Sequence, residues 1–168
     1  MNNVRNMVAA SLFAALIMVC AWLAVPIPPV GFTLQTFGIL LALGLLGGRW
    51  GSASIALYLL LGMVGLPVFS GFRGGAAALL DPTGGFLWGF LAAGLSYWAL
   101  QRLGKLTAMI VAQLVCYGCG CWWFSVYTGS SGILGAILVC VVPYLVPDGI
   151  KLTLAWLLSR RIGRYLRL

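Results

Sequence analysis

Histidine and glutamate are absent from this 168-residue chain, and aspartate occurs twice, as Asp81 and Asp148. Without histidine there is no HExxH zinc site, no Ser-His-Asp triad and no imidazole-ligated metal. With two carboxylates far apart in sequence, the paired-acid arrangement of glycosidases is missing as well. No Walker A loop occurs, so any ATP hydrolysis coupled to this chain belongs to another polypeptide. These gaps argue against an enzyme. Charge is scarce altogether: 7 % of residues are Asp, Glu, Lys or Arg, against about 25 % in a soluble domain.

What is present is apolar. Hydrophobic residues make up 62 % and the mean hydropathy is +1.08, which marks an all-α integral membrane protein. At about 20 residues per span, the length admits five to seven spans and predicts a single membrane domain over 1–168. The balance of ten Lys and Arg against two Asp, net +8, would suggest nucleic acid in a soluble protein. In a membrane chain it reads as cytoplasmic loops facing a lipid bilayer, with no nucleic-acid partner.

Met7 to Val25 reads as the first span rather than a signal peptide: it is too long for an h-region, and Trp22 disrupts a small-residue cleavage site. Pro26, Pro28 and Pro29 are expected to end it, with an extended segment to Gln35. Further helices are predicted over Thr36–Gly47 and Ser52–Val68. A fourth is expected from an Asp81 N-cap with Pro82 at the first helical position, running to about Leu100, and a fifth over Leu106–Val126. The last stretch reads as a short non-crossing helix over Ile133–Val142, then a sixth span from Pro147 to Arg160-Arg161. The alternative is one long helix from Gly132, kinked at Pro143 and Pro147. Six spans with both termini cytoplasmic place Arg5, Arg49, Arg102, Lys105, Arg160, Arg161, Arg164 and Arg167 inside, against Arg73 alone outside.

Cys116, Cys119 and Cys121 form C-x-x-C-x-C within an apolar run. A metal site normally offers four ligands, and no acid or imidazole lies near in sequence, so these thiols are expected to act as small apolar residues. Asp148 and Lys151 are more informative, being an acid and a base within apolar sequence. An ionisable residue in a membrane segment costs about 2.5–3.5 kcal/mol on insertion scales and points to function. At i, i+3 the two share a helix face; they form either a mutual salt bridge or a donor–acceptor pair for a ligand urea or amide group. Arg73, flanked by glycines, reads either as a carboxylate anchor aided by the bare backbone of Gly74, or as a surface partner of Asp81. Gly85 offers close approach to a ligand or to a neighbouring helix. Phe32, Phe86 and Tyr144 are candidate aromatic walls. Ala10 and Ala14 form a small-xxx-small pattern, repeated by Ser11 and Ala15, which suits close helix packing inside the chain or against a partner.

These segments together resemble the BioY family, the biotin-specific S components of energy-coupling factor (ECF) transporters. The resemblance rests on Phe32-Thr33-Leu34-Gln35-Thr36-Phe37, Leu66-Pro67-Val68-Phe69-Ser70-Gly71 with Gly74-Gly75, Pro82-Thr83-Gly84-Gly85, and Pro147-Asp148-Gly149-Ile150-Lys151. It implies a six-helix fold in the cell membrane and a biotin site near the outer surface built from Thr33, Gln35, Arg73, Gly74, Gly85, Phe86, Tyr144, Asp148 and Lys151. It also implies a complex with one transmembrane coupling subunit and two ATPases, docked through Ala10 and Ala14. No cofactor of its own is expected, ATP being used by the partner subunits. Asp81 and Phe72 depart from the family pattern in the outer loop. The competing reading is a ligand-free assembly or scaffolding subunit of a larger membrane complex.

Overall fold

The computed structural model describes residues 2–25, 31–129 and 132–164. Pro26–Pro29 and Arg167 therefore lie outside the described residues. Apart from a two-residue ladder, the described chain is helices and turns: α1 (Asn2–Trp22), β1 (Ala24–Val25), β2 (Phe32–Thr33), α2 (Gln35–Met63), α3 (Ala76–Leu80), α4 (Gly84–Leu100), α5 (Lys105–Thr128), α6 (Gly132–Cys140) and α7 (Leu145–Ile162). Among the described residues, four stretches are long and apolar enough to cross a bilayer, Asn3–Trp22, Gln35–Met63, Lys105–Thr128 and Gly132–Ile162. Large apolar side chains such as Leu12, Leu114, Leu134 and Ile150 face outward, while Gln35, Gln113, Asp148 and Lys151 are buried. That inversion of a soluble protein's surface fits a multi-pass membrane protein, in which polar groups turn to the bundle interior.

The first helix stops at Trp22, three residues before the expected end. Ala24 and Val25 pair antiparallel with Thr33 and Phe32, and the Leu34 N–H donates to the Leu23 carbonyl at 3.2 Å. The ladder thus takes over backbone groups that a further helical turn would have used. In α2 the expected stop at Gly47 is a break inside one element: Gly47 adopts φ 76°, ψ 175°, a conformation open to glycine. The Gly48 N–H turns to the Gln101 side-chain oxygen at 2.9 Å, which ties the break to the turn after α4. The second half of α2 ends at Met63, short of the expected Val68.

Asp81 does not cap α4. It follows α3 with extended backbone, and α4 begins at Gly84 without a side-chain cap. Its carboxylate pairs instead with Arg73, and its carbonyl accepts from Gly84 N and from Trp123 Nε1. Near the C-terminus, α6 and α7 are joined by a 3₁₀ turn over Val142–Tyr144, and together they form one of the stretches long and apolar enough to cross. Helix α7 starts at Leu145, two residues before Pro147. Pro147 does not interrupt it, because an N–H in the first turn has no intrahelical acceptor in any case. Asp148 is in that first turn, and Lys151 lies one turn further on.

The core runs from Ala14, Ile17 and Ala21 of α1 through Ile39–Leu43 and Ile55–Leu59 of α2 to Ala93, Ala108, Met109 and Ala112. Small residues let the helices close up where lipid supplies no hydrophobic drive. A methyl group on Gly38 would meet Cys20 Sγ at 3.2 Å and the Ile17 backbone at 3.4 Å. Burial decides between the two readings of the small residues on α1. Ala14 is 1 % exposed and Ala10 6 % within the single chain, so this pair packs inside and is not a free docking face. Ser11 and Ala15, one residue on, are the exposed pair.

Candidate ligand site

At the end of the bundle opposite the Gly47 break, the β1–β2 ladder, the loop around Arg73, the starts of α4 and α7 and the middle of α5 enclose an open-mouthed cavity of about 840 Å³, its mouth included. Its walls are Phe32, Phe69, Phe86, Leu87, Phe90 and Tyr144. Phe32 and Tyr144 stack with centroids 6.4 Å apart and planes 7° apart.

The floor is polar. Lys151 Nζ donates to Asp148 Oδ1 at 2.6 Å, to the Thr33 carbonyl at 2.7 Å and to Thr36 Oγ1 at 3.2 Å. The same ammonium lies 3.9 Å from the Phe32 ring centroid, a cation–π contact. The Asp148 carboxylate accepts from Thr36 Oγ1 at 3.4 Å on Oδ1, and on Oδ2 from the Tyr117 hydroxyl at 2.5 Å and Gln113 Nε2 at 3.4 Å. Its place in the first turn of α7 also favours negative charge. Beside this pair, Gln35 Nε2 donates to the buried Tyr58 hydroxyl at 2.6 Å and Gln35 Oε1 accepts from Thr33 Oγ1 at 3.2 Å. Tyr58 meets Phe69 edge to face at 5.5 Å, so the polar layer is braced from below.

Arg73 stands at the rim, paired with Asp81 as one of its two sequence readings has it. It lines the cavity, and its guanidinium pairs with Asp81 at 2.5 Å with side chains 53 % and 39 % exposed. A small hairpin sets its position: Phe69 N donates to the Arg73 carbonyl at 2.9 Å and Arg73 Nε to the Ser70 carbonyl at 3.2 Å. Phe72, at φ 57°, lies outside the cavity and packs on Trp22 at 5.1 Å.

The structure thus brings Thr33, Gln35, Arg73, Phe86, Tyr144, Asp148 and Lys151 to one cavity and leaves out Gly74 and Gly85. A side chain at Gly74 would collide with the Leu66 carbonyl, and one at Gly85 with Trp123. Both positions are closely packed against the chain. Cys116 and Cys140 line the cavity as well; all five thiols are free, and the described residues hold no group of metal-ligating side chains.

Sequence reasoning missed Thr36, Gln113 and Tyr117, the residues that complete the hydrogen bonding of Asp148. Gln113 and Tyr117 are four apart in an apolar helix and so share a face. That pair was the available signal.

A family profile, that of the BioY family, matches residues 1–168. The chain belongs to the BioY family. It is 38 % identical to a biotin transporter BioY of Thermotoga maritima, over 95 % of this chain and 96 % of that one. To a biotin transporter BioY2 of Lactococcus lactis it is 35 % identical, over 99 % and 95 %. A crystal structure of the S component for biotin from an ECF-type ABC transporter superposes with a TM-score of 0.89 at 28 % identity, covering 97 % of this chain and 93 % of that one. These relatives are named as transporters, not enzymes, in keeping with the missing histidine and glutamate. For this BioY family member the cavity between α2, α4, α5 and α7 is the place to seek a transported ligand.

Proposed function

We propose that the chain is the biotin-binding S component of an ECF-type transporter, acting in biotin uptake. One observation carries the reading: a buried ion pair floors an aromatic-walled cavity open at one end of a BioY-family bundle. Biotin carries a flat ureido ring, an apolar thioether ring and a carboxylate tail. The floor offers donors and acceptors to the first, the phenyl rings suit the second, and Arg73 at the rim faces the third. No cofactor is required, since binding alone is the task.

In this reading the whole chain is one membrane domain of the cell membrane with six spans and cytoplasmic termini. The Gly47 break supports it: with the two halves of α2 taken as separate passes, α1, α4, α5 and the α6–α7 segment bring the number to six. The partners are a transmembrane coupling subunit and two ATPases. The exposed Ser11 and Ala15 face of α1 replaces Ala10 and Ala14 as the docking surface.

Equilibrium titration of labelled biotin into the purified protein tests the reading. Saturable binding at one site per chain is expected. No saturable binding would sink it in favour of a ligand-free assembly subunit.

A further inference from the structure

On the biotin-binding reading, the carboxylate tail of the ligand meets Arg73 at the rim. A guanidinium grips a carboxylate through one of two forks, Nε with Nη2 or Nη1 with Nη2. One nitrogen of each fork is already engaged within the chain: Nε donates to the Ser70 carbonyl at 3.2 Å, and Nη1 to Asp81 Oδ2 at 2.5 Å. Nη2 has no partner among the described residues. The Arg73–Asp81 pair therefore carries no net charge and offers a ligand carboxylate no complete fork.

The two contacts on Arg73 differ in what they do. The Ser70 carbonyl belongs to the same hairpin as Arg73, closed by Phe69 N donating to the Arg73 carbonyl at 2.9 Å, so this loop positions the guanidinium by itself. Asp81 approaches from outside the cavity, which it does not line. Its carbonyl accepts from the Gly84 N–H at 2.8 Å and from Trp123 Nε1 at 2.9 Å, which fixes its backbone, and the carboxylate beside Arg73, independently of any ligand. We propose that Asp81 is a specificity-determining residue of the site: it competes with the ligand's tail carboxylate for Arg73, and so lowers the preference of the cavity for a free acid over a ligand whose tail is capped as a neutral amide. Specificity is a difference of two affinities, and a fixed carboxylate beside the anchor lowers only the one for the anionic tail.

The test titrates biotin and biotin amide, which differ in tail charge, at low ionic strength into purified wild type, Asp81→Asn and Asp81→Ala. Wild type is expected to prefer the acid by less than about tenfold. A half-exposed ion pair contributes little, so both variants should bind biotin about three- to fivefold more tightly. Binding of the amide should stay as in wild type, and the gain for biotin should shrink as salt is raised. Weaker biotin binding in the variants overturns the proposal, since Asp81 would then hold Arg73 in place for the ligand. Unchanged biotin affinity overturns it, and so does an equal gain for both ligands, which would mark a change of cavity shape and not of tail charge. A wild type that prefers the acid by more than about tenfold overturns it without any variant having to fold, because Arg73 would then already be free to grip the tail. Wild type that binds neither ligand removes the biotin-binding reading and this inference together; wild type that binds both leaves that reading standing whichever way the variants fall.

Discussion

Asp148 and Lys151 each hold several groups besides one another, so replacing either leaves neighbours without partners. Removing one member of a buried ion pair costs about 3–5 kcal/mol, chiefly because the other charge remains. Asp148→Asn and Lys151→Met are therefore expected to lower the melting temperature of the ligand-free protein and to weaken biotin binding by about a hundredfold or more. Titration and thermal melting of the same preparations measure both. Wild-type affinity in both variants would take the ligand away from this floor. The double variant Asp148→Leu/Lys151→Met separates the two effects, since a buried pair replaced by apolar residues is often neutral or stabilising. It should regain thermal stability and still fail to bind. Arg73 calls for a smaller number. Its ion pair with Asp81 is about half exposed, and such pairs contribute about 0–1 kcal/mol. Arg73→Ala should weaken biotin binding by about tenfold at most, and a titration with biotin amide, which lacks the carboxylate, should show almost no loss. An equal loss for biotin and the amide would exclude Arg73 as the carboxylate contact.

At the scale of elements, α1 carries two small-residue pairs offset by one position, and only one of them faces the bundle. Leucine at Ala10 or Ala14 has no space to enter beside α2, and overpacking of this kind costs about 1–3 kcal/mol. Ala14→Leu is expected to reduce thermal stability and biotin binding together. Ala15→Leu, on the exposed face, should leave both intact and abolish co-purification with the coupling subunit. Paired titration and pull-down decide the matter; binding lost in Ala15→Leu would place that face inside after all. This is also where the reading of the sequence reached its limit. Apolar runs and glycine stops located every long helix, because length and hydropathy are properties of a segment alone. Which face of α1 points inward is not, since in a bilayer both faces are apolar and the helical period carries little contrast. The Asp81 N-cap failed for a related reason: a guanidinium eight residues earlier folds back on its carboxylate. The charged floor was legible because Asp148 and Lys151 have no other business in apolar sequence. Tyr117 was not, because a tyrosine in a membrane helix gives no sign of its partner unless Gln113, one turn away, is read with it.

Across the whole molecule, a group of arginines and the cavity lie at opposite ends of the bundle. Arg49 lies over Trp50 and Arg160 over Trp156. Arg102 is exposed beside the turn that receives the Gly47 break. Both aspartates and the cavity belong to the other end. Cationic loops are retained on the cytoplasmic side during insertion, so this polarity predicts a cavity that faces outside, where an uptake subunit would meet its ligand. Single-cysteine labelling tests the orientation. In a background where the five native cysteines are alanine, a membrane-impermeant thiol reagent applied to intact cells should modify Arg73→Cys and spare Arg102→Cys until the membrane is opened. Alanine suits the background because Cys116 and Cys140 line the cavity, and a small apolar replacement keeps their burial without adding a polar group. Labelling of Arg102→Cys but not Arg73→Cys on intact cells would reverse the topology. Biotin would then enter the cavity from the cytoplasm, and the chain would be unable to capture it for uptake.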